Sequence, residues 1–205
     1  VFDGQGTEHD AILHEINHSR VTVEIGEKVA SIAEPSHAIT LVQGIPRGDR
    51  MDFTLQKAVE LGITAIQPVW MQRSRRQLDD TRIQKRLRHW QGVLVSACEQ
   101  SGRSTLPELL SPAGYRDWLD SGQSDGLRIM LHPEGEYTLP ELERPRGSIM
   151  LLVGPEGGIS SEETALAAHS GFCGVRLGPR ILRTETAAMA ALAGIQALWG
   201  DFRDD

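Results

Sequence analysis

The chain has 205 residues, 40% hydrophobic and 24% charged, a composition that suits one full globular domain with a small appendage and argues against disorder. No run approaches the roughly 20 apolar residues of a spanning helix, and Val1 to Asp10 carry neither a basic start nor an apolar stretch, so a cytoplasmic protein without membrane contact is expected. A formal net charge of −7 excludes a surface that grips nucleic acid all over, but leaves room for a local basic stripe.

The chain opens at Val1 without a methionine, and further chain is expected upstream. Residues 1 to 36 read as short β segments. "HDAILHEI" and "SRVTVEIG" alternate apolar and polar residues, with Asn17, His18 and Ser19 as turn chemistry between them. Two strands do not make a stable domain. They fit the end of a small barrel or an edge hairpin, and Glu34-Pro35 marks a boundary.

From His37 the pattern changes to strands alternating with helices, the signature of an α/β domain with a mostly parallel sheet. "AITLVQGI" is a buried strand. After a turn at Pro46 to Gly48, Asp49 is placed to cap a helix whose apolar face is Met51, Leu55, Ala58 and Val59 and which Gly62 closes. "ITAIQPVW" is the next strand. A helix from about Asp80 presents Ile83, Leu87, Trp90, Leu94 and Ala97 on one side. Between Gln72 and His89, Arg73, Arg75, Arg76, Arg82, Lys85, Arg86 and Arg88 stand against Asp79 and Asp80, a local charge of +5 in an acidic chain. Such a run is either a solvated helix face or an RNA surface. Cys98 and Cys173 stand alone in apolar contexts, without Cys-x-x-Cys or paired histidines, so neither disulfides nor a metal site are expected.

"LRIMLH" and "SIMLLVG" are further strands, the second nearly all apolar. Two glycine-containing loops then precede helices: "GPEGGISSEE" at 154–163 and "LGPRILRTETA" at 177–187. Ligands of open α/β sheets sit beyond the carboxyl ends of strands, which puts the expected site at these loops. Ser160 and Glu163 have capping-box spacing. The first loop lacks G-x-G-x-x-G and Gly-Lys-Ser/Thr, and Glu156, Glu162 and Glu163 would repel a pyrophosphate. A cofactor without phosphates, such as S-adenosylmethionine (SAM), fits better than a nucleotide. The small-residue helix "AAMAALAGIQALW" is expected to be buried or packed on a second subunit.

Four blocks, "GDRMDFTLQKAVELG", "ACEQSGR", "LLVGPEGGIS" and "LGPRILRTETAA", lie in the order in which the chain resembles the RsmE family, the 16S ribosomal RNA (uracil-1498-N3) methyltransferases of the SPOUT superfamily. The resemblance runs over roughly residues 40 to 203. It implies an α/β SPOUT-type domain at 37–205 with a C-terminal trefoil knot, preceded at 1–36 by part of a PUA-like RNA-binding barrel. It also implies a homodimer that acts on 16S rRNA of the small ribosomal subunit without a metal. The implied cofactor is SAM, held by Leu131, His132, Gly154, Pro155, Glu156, Gly157, Gly158, Leu177, Gly178, Ile181, Leu182, Thr184, Thr186 and Ala187.

Methyl transfer from a sulfonium to uracil N3 needs in-line geometry, removal of the imide proton and an offset for charge on the uracil oxygens. Arg183 is the candidate for the last task. Glu185, and after it Glu156, is the candidate proton acceptor. The competing reading makes Glu185 a helix N-terminal carboxylate favoured by the dipole and Arg183 its ion-pair partner. RNA contact is assigned to Arg73, Arg75, Arg76, Arg82, Lys85, Arg86, Gln100 and Arg103, with Arg103 expected near the active site. The rival function is a catalytically silent knotted RNA-binding protein in ribosome assembly.

Overall fold

The computed structural model describes residues 1–32, 34–74, 79–122 and 126–203. The first two strands, β1 (Glu8–Asn17) and β2 (Arg20–Val29), form the expected antiparallel hairpin. Ala11, Leu13 and Ile16 lie opposite Ile25, Val23 and Val21, and a register shift between Leu13 and Glu15 keeps all six on one face. Leu13, Ile16, Val21 and Ile25 are each more than half exposed, so that apolar face has little cover among the described residues. Phe2 packs on the main core, and Gly4 and Gln5 bridge to Thr105.

The remaining strands form one sheet: β3 (Ile39–Gly44), β4 (Ala65–Trp70), β5 (Glu108–Leu109), β6 (Ala113–Gly114), β7 (Gly126–Leu131), β8 (Ser148–Val153) and β9 (Cys173–Val175). Their order is β5-β4-β3-β8-β7-β9, with β6 beside the end of β4, and every pairing is parallel. Pro68 is tolerated inside β4 because the neighbouring strand is broken there: β5 ends at Leu109, β6 starts at Ala113, and the Gln67 side chain donates to Ser111 O at 3.0 Å across the gap.

Among the described residues, five α-helices cover the sheet: α1 (Arg50–Glu60), α2 (Asp80–Ser101), α3 (Tyr115–Asp120), α4 (Ser161–His169) and α5 (Thr184–Trp199). Successive strand residues point to opposite faces. Leu41, Ile129 and Leu151 therefore join α1, α2 and α5 in the larger core, and Val42, Met130 and Leu152 join Tyr115, Trp118, Ala167 and Phe172 in the smaller one. The α1 face Met51, Leu55, Ala58 and Val59 is buried, as are Trp90, Leu94 and Ala97 of α2. Asp49 does stand at the N-cap of α1, but its side chain makes no capping bond. Asp79 caps α2, accepting from Arg82 N at 3.0 Å. Among the described residues, no helix is long and apolar enough to cross a membrane.

Candidate active site

Because the sheet is parallel, Gly44, Trp70, Leu131, Val153 and Val175 all end at one edge. The order reverses between β3 and β8, and the cavity lies on the β8 side of that point, beyond the ends of β8, β7 and β9. The turn after β8 is closed by Gly158 N donating to Pro155 O at 2.8 Å, with Gly158 at φ +72°, where a side chain would be strained. Both halves of the Ser160–Glu163 capping box then start α4. Glu163 Oε1 also accepts from Gln72 N at 2.6 Å, which ties the β4–α2 connection to the same helix start.

Three long-range contacts lock the turn in place. Gln43, fully buried at the end of β3, donates through Nε2 to Thr184 Oγ1 at 3.0 Å, and Thr184 Oγ1 donates to Gly154 O at 2.6 Å. One hydroxyl thus joins β3, the turn and the first residue of α5. Gly44 lies against the same turn: a Cβ there would sit 2.6 Å from Pro155 Cδ and 2.8 Å from both Pro155 N and Met71 Sδ. Two of those neighbours are the turn's own atoms, so Gly44→Ala is expected to displace it. The expected outcome is a loss of about 1–3 kcal/mol in urea unfolding together with a weaker ligand affinity in calorimetry.

On the other side, the chain after β7 is stapled to β9. His132 N donates to Val175 O at 2.9 Å, and Arg176 Nη1 donates to the carbonyls of Gly135 and Glu136 at 2.8 and 2.6 Å. Segments 131–134, 153–159 and 177–187 consequently surround a single cavity of about 1120 Å³. All expected cofactor positions except Thr186 line it, as do Arg183 and Glu185. Thr186 is exposed on α5 and does not line the cavity.

The charges at the cavity differ from the pairing expected of Glu185 and Arg183. Glu185 Oε1 lies 3.9 Å from Arg50 Nε, and no ion pair joins it to Arg183 among the described residues. Glu185 Oε2 is buried without a hydrogen-bond partner among the described residues. Glu156 Oε1 accepts from Arg47 N at 2.8 Å and from Arg50 Nη1. Partial burial pushes the Glu156 carboxyl upward, but its own backbone amide, that of Arg47 and the Arg50 guanidinium outweigh this and hold it below its ordinary value. Arg50, Gln43 and Gly44 escaped the reading of the sequence, although all three lie in or beside a strand-and-helix block that it singled out.

The basic stripe divides. Arg73 donates to Gly157 O at 2.9 Å and lines the cavity, and its side chain fills the space a Gly157 Cβ would occupy. Arg75 and Arg76 lie outside the described residues. Arg82, Lys85 and Gln100 are exposed on α2, while Arg86 sits 5.8 Å over the Trp90 ring. Arg103 is a correction. It is 8% exposed, its Nη1 donates to Val59 O at 3.0 Å and Ile63 O at 2.9 Å, and its Nη2 pairs with Glu34 at 2.5 Å. These partners stand near the amino ends of β3 and β4, at the edge of the sheet opposite the cavity, so within the chain Arg103 is a structural clasp and does not lie near the cavity as expected.

Residues 33–196 match the model of the RNA methyltransferase domain. Ribosomal RNA small subunit methyltransferase E of Buchnera aphidicola (Acyrthosiphon pisum) is 31% identical over 94% of this chain and 76% of its own length, and that of Bacillus subtilis is 30% identical over 93% and 77%. The chain belongs to the RsmE family. A crystal structure of the RsmE enzyme from Neisseria gonorrhoeae, bound to S-adenosyl methionine, matches with TM-score 0.91 and 46% identity over 98% of this chain and 83% of that one. A Legionella pneumophila protein solved with bound SAM matches with TM-score 0.92 and 35% identity, over 98% and 82%. The RsmE likeness thus extends across the hairpin as well as the sheet.

Proposed function

We propose that the protein binds SAM in the cavity beyond the ends of β7, β8 and β9 and methylates N3 of a uridine, position 1498, in the 16S rRNA of the small ribosomal subunit. The observation that carries this is the convergence of the 154–158 turn and the 177–187 segment on one cavity. The donor set suits the cofactor: carboxylates and backbone carbonyls meet an ammonium and ribose hydroxyls, and the glycine turn leaves bare backbone for an adenine. SAM supplies an electrophilic methyl group on sulfur. Glu185 accepts the N3 proton, the electron pair left on N3 forms the new bond to the methyl carbon, and the carbon–sulfur pair departs with sulfur. Arg183 offsets the charge that gathers on the uracil oxygens before transfer.

The RNA surface is assigned to the exposed Arg82, Lys85 and Gln100 and to Arg73, Arg75, Arg76 and Arg86. The exposed apolar face of the β1–β2 hairpin supports its reading as part of a PUA-like barrel at 1–36, with the SPOUT domain at 37–205. A trefoil knot is supported by the course of α5. Thr184 bonds to Gly154, while further along a Cβ at Gly194 would sit 2.8 Å from Leu139 Cδ1, so α5 runs beneath the connection between β7 and β8. Exposed small residues on α5, Thr186, Ala190 and Ala197, support a homodimer through that helix. The work is that of a cytoplasmic ribosome-modifying enzyme.

Calorimetric titration with SAM tests the cavity directly. Saturable 1:1 binding that Gly44→Ala weakens is expected. An absence of binding heat at any temperature would favour the silent assembly factor.

A further inference from the structure

We infer that Arg50 is a positioning residue of the transfer reaction, fixing the Glu185 carboxylate on the cavity wall and tying it to the Glu156 turn. This rests on the reading of Glu185 as the group that receives the imide proton. Arg50 begins α1, and its guanidinium reaches carboxylates from two separate segments: Nη1 bonds to Glu156 Oε1, and Nε faces Glu185 Oε1 at 3.9 Å. The Glu156 side chain is held by a second donor, the Arg47 backbone N–H. The fork of Arg50 is therefore anchored on one side and orients Glu185 on the other.

The orientation matters because the two Glu185 oxygens are not equivalent. Oε1 faces the arginine. Oε2 is buried, has no protein donor among the described residues, and belongs to a residue that lines the cavity. Oε2 has no accessible surface, so a molecule bound in the cavity meets Glu185 through Oε1, the oxygen that Arg50 faces. An ion pair made only for stability explains the arrangement poorly, since the Arg50 side chain is 44% exposed and exposed pairs contribute little. The charged or titratable groups sharing the cavity with Glu185 are Arg50 from α1, Arg73 before α2, His132 and Glu134 after β7, Glu156 on the turn, and Arg180 and Arg183 before α5.

The test is a double-variant cycle on the whole chain with methyl-transfer kinetics and SAM affinity by calorimetry. Arg50→Met is expected to lower kcat about tenfold or more, with SAM affinity nearly intact, and to add no further loss on a Glu185→Gln background. Arg50→Lys keeps the charge and restores part of the rate. Full additivity in the double variant, or no rescue by Arg50→Lys, overturns the role of Arg50 alone. Wild-type turnover in Glu185→Gln overturns the proton-acceptor reading, and the positioning role with it.

Discussion

Arg183→Ala is expected to slow methyl transfer about 100-fold while leaving SAM affinity nearly unchanged, because a preorganised donor acts on charge that develops only on the way to the transition state. Arg183 occupies the N-cap of α5, and among the described residues its side chain makes no hydrogen bond or ion pair. A cation there is opposed by the helix dipole, so helix stability does not account for it. It lines the cavity beside Thr184, whose hydroxyl is locked to Gly154 and Gln43. A locked neighbour on a buried helix gives the guanidinium a fixed origin. Single-turnover transfer with labelled SAM, paired with calorimetry, separates rate from affinity; equal losses in both would make Arg183 a cofactor ligand instead.

Arg103→Met is expected to destabilise the fold by on the order of 3 kcal/mol, since removing a buried guanidinium leaves two carbonyls without their charged donor. With about 2–4 °C per kcal/mol for a chain of this size, the melting temperature falls by about 6–12 °C. The loss combines two carbonyls, Val59 O and Ile63 O, and the Glu34 carboxylate, which join α1, the start of β4 and the segment entering β3. RNA affinity per folded molecule stays as it was. Thermal melting with filter binding checks both halves, and an unchanged melt with weakened RNA binding would restore Arg103 to the RNA surface.

The two arginines show what the sequence made legible. Long periodic elements were readable: the α1 face at Met51, Leu55, Ala58 and Val59, the Trp90-Leu94-Ala97 side of α2, and the capping box at Ser160 each follow from spacing alone. The loops at 154–158 and 177–187 were readable because their residue types have few other uses together. Short pieces such as β5, β6 and β9 were not, since two or three residues hold no period. Nor was α3, whose buried Tyr115, Trp118 and Leu119 fit a single turn and a half.

Burial of a polar side chain is equally silent in a single sequence. Arg103 in "EQSGR" has the chemistry of a phosphate ligand, and only the approach of Glu34, 69 residues away, reveals a clasp. Gln43 and Thr184 meet across 141 positions, and Arg50 meets Glu156 across 106. Such pairs are set by sheet order, with β3 beside β8, which local pattern does not encode.

The measurement that bears most directly on the enzyme is incubation of the protein with methyl-labelled SAM and small ribosomal subunits lacking the modification, followed by mapping of the labelled nucleotide. The expected result is one labelled uridine in 16S rRNA, position 1498, carrying the methyl on N3, with the signal lost in Arg183→Ala. Unlabelled RNA despite SAM binding, or label on a ribose hydroxyl or a ring carbon, would contradict it.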